Sequence, residues 1–392
     1  MLHKRFVFVS LLAPSLSFAS TATDSLAGST SDVFDNLTEN PAFVNAEGGK
    51  SYLRISKAGG VQAITSAGGY GLGIQVNTLE SALVAPLAGN AKEITDAAKT
   101  LSAAGLPLSL TLGGTSGDTK WGATLQYENS KVEGATAATT FDPSFMKTGL
   151  NLGVIMGATE ASFSYGRDAW KVATSGKTKT LAAETSTNLP DGMSEQSTDA
   201  MGVVVRHKLG QYNYFAALNQ SKTKAKFWSS ASSTTASQDE LNKSMGFDIG
   251  AEREDKLADG MMLFSKSWFG WSKSTDNVSQ AKKETTDLAL SSAHGVEVAA
   301  ASWATLRAGV AASIYGNNKT TATTYADANQ GGASAANSTT STFVLRGITA
   351  PTMGVGFKFG NYTIDATLAQ DGTGDLGFSD KVLGKVEVTG QF

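Results

Sequence analysis

Apolar residues recur at every second position of this chain, in segments of about 9–12 residues. The last segment is the clearest: Val382, Gly384, Val386, Val388, Gly390 and Phe392 form one set, and Leu383, Lys385, Glu387, Thr389 and Gln391 the other. A period of two puts such sets on opposite faces of a strand. Trp121, Ala123, Leu125 and Tyr127 repeat the pattern, as do Met201, Val203 and Val205, and Met245, Phe247, Ile249 and Ala251. So do Leu306, Ala308, Val310, Ala312 and Ile314, then Met353, Val355, Phe357 and Phe359, then Tyr362, Ile364, Ala366 and Leu368. Counting back from Phe392 predicts fourteen strands, the first near 69–79; segments 50–57 and 60–66 would add a pair and make sixteen.

The connections alternate as well. Short turns are expected near Gly114–Asp118, Ala158–Ala161, Leu209–Tyr212, Lys256–Gly260, Ser302–Thr305 and Phe359–Tyr362. Between them lie long polar stretches at about 130–146, 174–197, 228–242, 274–292 and 317–342, and a shorter one at 371–377. The strand length suits a tilted membrane crossing, and the rhythm suits a barrel with short periplasmic turns and long extracellular loops. The expected fold is all-β: a transmembrane, antiparallel, up-and-down β-barrel of 14–16 strands. Open sheet edges are not stable in lipid, so the sheet must close.

Composition agrees. Charged residues make up only 17%, Gly is abundant at 42 residues, and Cys is absent. The last fact removes thiol catalysis, disulfides and zinc–thiolate sites. A net charge of −3 without a basic patch argues against nucleic acid as a partner. Lys4 and Arg5, the apolar run Phe6 to Leu16, and Ser17-Phe18-Ala19 read as a secretory signal over residues 1–19. The division expected is a signal peptide at 1–19, a periplasmic or plug segment at 20–48, and the barrel at 49–392.

The C-terminal strand resembles that of outer-membrane β-barrels, porin-like by size, whose assembly signal is a terminal aromatic after alternating apolar residues. Val386, Val388 and Phe392 match it, and Gly390 stands where a larger residue is usual. The resemblance implies partners in outer-membrane lipid and the barrel-assembly machinery. A second likeness lies in Asn40-Pro41-Ala42, preceded by Ser31-Asp32-Val33-Phe34. It resembles the opening of barrels in the long-chain fatty-acid transporter family, where it implies an N-terminal plug and lateral release of a hydrophobic ligand. Phe43 follows where that family usually has Gly.

Inward phase is expected for Lys120, Glu128, Arg206, Asp248, Glu252, Arg307, Lys358, Asp365, Lys385 and Glu387. These would line a pore, since fourteen or more strands enclose more space than side chains fill, and rings of charge select ions. Segment 80–104 holds a helix-like stretch with Ile94, Ala97, Ala98 and Leu101 on one face. It could fold into the lumen as a constriction loop bearing Glu80, Glu93 and Asp96, or form a surface helix. Trp121, Trp170, Phe227, Trp228, Trp268, Trp271, Trp303 and Tyr362 suit interfacial girdles. Trp268 and Trp271 break phase, which predicts a bulge there. Small outward residues such as Ala308 and Ala312 are compatible with a homotrimer.

Catalysis is not expected. A nucleophile pair of the kind used by outer-membrane phospholipases or proteases needs His beside its partners. The spacing singles out neither His207, on the apolar phase, nor His294, after a long loop. The reading is a porin for passive diffusion of small hydrophilic solutes and ions, with no cofactor or metal. Its alternatives are a transporter of hydrophobic compounds and a structural or adhesive surface barrel.

Overall fold

The computed structural model describes residues 33–45, 50–56, 60–76, 107–131, 134–136, 139–174, 192–229, 234–278, 281–324, 335–348, 351–368 and 383–392. A helix, α1 (Val33–Glu39), and a 3-10 turn (Pro41–Asn45) precede the strands. These are β1 (Tyr52–Ser56), β2 (Val61–Ala67), β3 (Tyr70–Val76), β4 (Leu108–Ser116), β5 (Thr119–Lys131) and β6 (Gly134–Thr136). Next come β7 (Thr139–Met156), β8 (Thr159–Thr174), β9 (Gly192–Leu209), β10 (Tyr212–Ser229), β11 (Thr234–Ala258) and β12 (Met261–Val278). The last are β13 (Ala281–Ala301), β14 (Ala304–Thr324), β15 (Ala335–Ile348), β16 (Thr352–Phe359), β17 (Tyr362–Leu368) and β18 (Leu383–Gln391).

Successive staves pair antiparallel, and β1 pairs with β18 to close the sheet. β6 pairs with β7 in line with β5, and β15 and β16 share one place beside β14, so the barrel has sixteen staves. Closure is sealed by two backbone bonds: Ser51 N–H to the Phe392 carbonyl at 3.2 Å, and Phe392 N–H to the Ser51 carbonyl at 2.8 Å. The first strand pair, β1 and β2, is therefore part of the wall.

The outward phase is apolar and exposed. Leu112, Leu125, Leu218 and Ile249 are 59%, 63%, 62% and 55% exposed, values that suit a lipid-facing belt and not an interior. Aromatic pairs gather at the tight-turn end: Trp303 stacks on Phe357 at 6.1 Å, and Tyr362 meets Phe392 edge-on at 5.9 Å. Gly390 lies under that second pair, with its missing Cβ site 3.0 Å from both rings. The position that departs from the expected terminal pattern is thus covered by Phe392 itself. Gly68, Gly117, Gly157, Gly210, Gly260 and Gly360 adopt positive φ at the tight turns, where they allow two-residue reversals.

Two expectations change. Much of the polar stretches read as loops is strand: β12 and β13 are joined at Val278–Ala281, inside 274–292. Ser, Thr, Lys and Asn carry these extensions, paired through backbone bonds beyond the apolar belt, so no hydrophobic alternation marks them. Second, β12 keeps unbroken register with β13, and no shift separates Trp268 from Trp271 against β11. The two rings stand on opposite faces; Trp271 stacks outward on Phe247 at 5.9 Å. Register shifts lie elsewhere, among them one on β14, where pairing with both neighbours shifts at Ile314.

Candidate functional site

The chemistry of a barrel lies on its inward phase. Here that phase has two unlike walls. On the first, Gly71 of β3, Gly113 of β4, Gly122 of β5 and Gly153 of β7 stand opposite one another in register. They form a row without side chains across four staves. The 3-10 turn lies along it. A Cβ at Gly71 would come within 2.6 Å of the Val44 carbonyl oxygen, and one at Gly113 within 2.5 Å of Val44 Cγ1. At Gly122 it would run into the Pro41 carbonyl, and at Gly153 into Asn40 Oδ1.

The sequence explains the shape of this segment. Asn40 N–H donates to the Asn36 carbonyl at 2.8 Å, in the last turn of α1. Pro41 then opens a new turn with its preset φ. The Asn40 side chain is used at both ends: Oδ1 accepts from Ala42 N–H at 3.1 Å, and Nδ2 donates to the Val154 carbonyl of β7 at 3.3 Å. Asn151 Nδ2 reaches back to the Thr38 carbonyl at 2.9 Å. Phe34 and Leu37 on α1 pack with Val44 and Ile64, with Tyr52 at their edge. The Arg54 guanidinium lies 4.2 Å above the Phe34 ring, a cation–π contact. Two staves along from β7, Arg206 Nη2 of β9 meets Glu39 Oε2 at 2.5 Å. Residues 33–45 are thus seated on the inward face of one wall and tied to β9 by an ion pair.

The second wall runs from β10 to β18 and carries charge. Arg307 bridges Glu297, at 2.7 Å, and Asp365. Lys266 pairs with Glu252 at 2.9 Å, with its ammonium 5.0 Å above the Phe215 ring. Arg54 Nε lies 4.0 Å from Glu387, which carries the charge around to β1. Hydroxyl pairs supplement it at Ser221–Ser244 (2.7 Å) and Thr198–Thr223 (2.9 Å), and Thr111–Thr124 (2.7 Å) does the same on the first wall.

The residues singled out by phase fall as follows. Arg206, Asp248, Glu252, Arg307, Asp365 and Glu387 lie on the inward face and belong to these two walls. Lys120 is inward and half-buried, and Lys358 is exposed at the tight-turn rim. Glu128 is inward but only 1% exposed, opposite Lys147 across β5 and β7, so it does not line water. Lys385 stands opposite Thr367 on the lumen phase. Val388 and Phe392 face outward, and Val386 shares their phase. Glu80, Glu93, Asp96 and the signal segment lie outside the described residues.

Phase reasoning missed Glu39, Arg54, Lys266 and Glu297, and it missed the glycine row. A signal existed for part of the row: Gly113, Gly122 and Gly153 share one phase and each stands four residues from a tight turn. His294, set aside in the sequence, touches Ser292 and Ser265.

Neither a protein-family model nor a curated protein matches the sequence. Solved structures do. The toluene transporter TodX of P. putida aligns over 96% of this chain and 96% of its own, at 10% identity and a TM-score of 0.37. The CymD monoaromatic hydrocarbon channel aligns over 95% and 97%, at 10% identity and a TM-score of 0.36. The ferric yersiniabactin uptake receptor FyuA of Yersinia pestis aligns over 81% of this chain, at 10% identity and a TM-score of 0.36. The chain spans 46% of that receptor's length and 60% of the copper transporter OprC. Likenesses of this degree transfer no substrate. Closure, apolar belt and aromatic girdle make the chain an outer-membrane-type β-barrel.

Proposed function

We propose that this barrel is an outer-membrane channel passing small hydrophilic solutes and ions, narrowed on one side by its own residues 33–45. The observation that carries this reading is the polar second wall. Arg307, Asp365, Glu297, Glu252 and Lys266 hold fixed charges of both signs on the lumen face. A wall for an apolar cargo would not carry this much charge, since an apolar surface covering these groups strips them of water. Mixed charge at a constriction sorts ions and zwitterions by sign and size. Export by a signal cleaved after Ala19 belongs to the same reading, and N-terminal sequencing of the membrane form tests it.

The test is single-channel current in planar bilayers. The folded chain should give discrete ohmic steps, and deletion of residues 33–45 should raise their size several-fold. Folded protein that passes no current in either form would end this reading.

A second reading is favoured by one feature. The seated Asn40-Pro41-Ala42 segment and the apolar cluster of Phe34, Leu37, Val44 and Ile64 suit a barrel that hands a hydrophobic compound past a plug. Uptake of an aromatic hydrocarbon by cells expressing the chain, with no swelling of sugar-loaded liposomes, would favour it over the channel.

A further inference from the structure

The outward face of β12 and β13 interrupts the apolar belt with a polar band. Four cross-strand pairs stack along it: Leu263–Val296, Ser265–His294, Ser267–Ser292 and Phe269–Leu290. Two polar rows are thus held between two apolar ones, on the face that lipid covers. Polar groups there are expensive unless bonded, and these form one network. Ser292 Oγ donates to the Lys266 carbonyl at 3.2 Å and lies 2.8 Å from His294 Nε2. Ser267 Oγ lies 3.1 Å from Ser292 Oγ. His294 Nδ1 lies 3.1 Å from Ser265 Oγ.

Proton counting gives one assignment that makes every one of these contacts a hydrogen bond. A serine hydroxyl has one proton. That of Ser292 goes to the Lys266 carbonyl, so its oxygen accepts from His294 Nε2–H. The imidazole is then the Nε2–H tautomer, and Nδ1 offers a lone pair to the Ser265 hydroxyl. Base, orienting group and nucleophile therefore stand in line, as an activated serine requires. Exposure agrees with the roles. Ser292 is buried at 6%, whereas His294 is exposed and Ser265 half-buried at the surface.

We infer that Ser265, His294 and Ser292 form an acyl-transfer site on the outer wall of the barrel, open to esters carried by the bilayer. Ser265 Oγ attacks the ester carbonyl and its proton passes to His294 Nδ1. The tetrahedral adduct collapses, the C–O bond to the alcohol breaks, and His294 returns the proton to the departing oxygen. Water, deprotonated by His294, then hydrolyses the acyl-Ser265 ester and frees the carboxylic acid. Ser292 touches no reacting atom; it is a positioning residue that sets the tautomer. The flanking Leu263, Val296, Phe269 and Leu290 select an acyl chain lying along the wall.

The test uses the full folded chain in lipid vesicles, with folding followed by heat-modifiable migration. An alkyl fluorophosphonate should label Ser265, located by peptide mass. Ser265→Ala should abolish that label and His294→Ala should slow it about 100-fold or more, the usual share of a general base. Ser292→Ala should slow it less and shift its pH profile, because the tautomer is no longer held. Palmitoyl 4-nitrophenyl ester should be cleaved faster than the acetate. Absence of label at Ser265 in folded protein, or a rate unmoved by His294→Ala, would overturn the site. Preference for the acetate would overturn the assignment to bilayer esters.

Discussion

Glycines line both walls of the lumen, and they do opposite things. On the plug wall, Gly71, Gly113, Gly122 and Gly153 make room for another part of the chain, its backbone at Gly71 and Gly122 and its side chains at Gly113 and Gly153. On the charged wall, the room left by glycine is taken by cross-strand side chains. Phe215 lies 2.6 Å from the Cβ site of Gly250, Asp248 Oδ1 2.6 Å from that of Gly270, and Asp365 and Arg307 2.8 and 2.9 Å from that of Gly356. The first wall is a seat for a segment far off in sequence. The second is a surface that fills itself. A glycine in a strand marks a close approach, but only the register tells what approaches.

The contrast predicts unequal costs for similar substitutions. Gly122→Val sets a branched side chain against the Pro41 carbonyl, which cannot swing aside without moving the turn. We expect about 3 kcal/mol against the seated plug, at the upper end of overpacking penalties. Gly270→Ala meets only the end of the Asp248 side chain, and should cost less than about 1 kcal/mol. The chain has no cysteine, so a single Phe43→Cys reports plug release by maleimide labelling without background. Labelling should rise sharply with Gly122→Val and stay unchanged with Gly270→Ala. Equal labelling in both would mean that the glycine row is not the seat.

How much of this could be read in advance follows from which interactions are periodic. The outward phase was readable because lipid enforces it residue by residue: Met201, Val203 and Val205 are exposed as a set. Strand number was readable to within a pair, because β1 and β2 are short and only their pairing with β18 and β3 secures them. The inward charges were readable by phase, but their partners were not. Arg307 finds Asp365 58 residues away, and Arg206 finds Glu39 in a helix that no strand pattern announces. His294 is the sharpest case. Ser292 shares its face at i−2 and was visible in sequence, but Ser265 comes beside it only through the β12–β13 register.

On the charged wall the largest effect should come from Arg307→Gln. Arg307 is 10% exposed and holds two carboxylates, Glu297 and Asp365. Removing it leaves both negative charges on one patch of a half-screened lumen. Loss of a fully buried pair costs about 3–5 kcal/mol; with water nearby we expect about 2 kcal/mol in urea unfolding from vesicles. Reversal potentials in a salt gradient should shift toward cation preference at the same time. A stability loss with unchanged selectivity would show that ions pass along some other part of the lumen.

On the plug wall the matching change is milder. Arg206→Gln removes the bond to Glu39 but leaves the glycine seat and the apolar cluster intact. Glu39 is 31% exposed and Arg206 14%, so solvent screens part of the pair. We expect about 1 kcal/mol and a modest rise in Phe43→Cys labelling, well below that of Gly122→Val. If Arg206→Gln released the plug as fully as Gly122→Val, charge and not shape would be what seats it.

The smallest effect lies beyond the lipid belt, on the strand extension where β12 and β13 meet. Glu284 accepts from Lys282 at 3.0 Å and lies 3.9 Å from Lys273. The hydrogen bond from Lys282, then the charge of Lys273, hold its carboxyl below the usual range. A folded-state pKa below the unfolded one contributes stability that is present above the unfolded value. That contribution is lost as pH falls through the folded value. The groups are exposed, so the contribution is a few tenths of a kcal/mol at most. Molar salt should erase it, since the charges sit in water and the Debye length then falls to about 3 Å, the scale of their separations. Unfolding of the wild type and of Glu284→Gln should therefore differ slightly at neutral pH and converge in acid. A difference that persisted in acid, or in molar salt, would mean that Glu284 acts by packing on the extension and not by its charge.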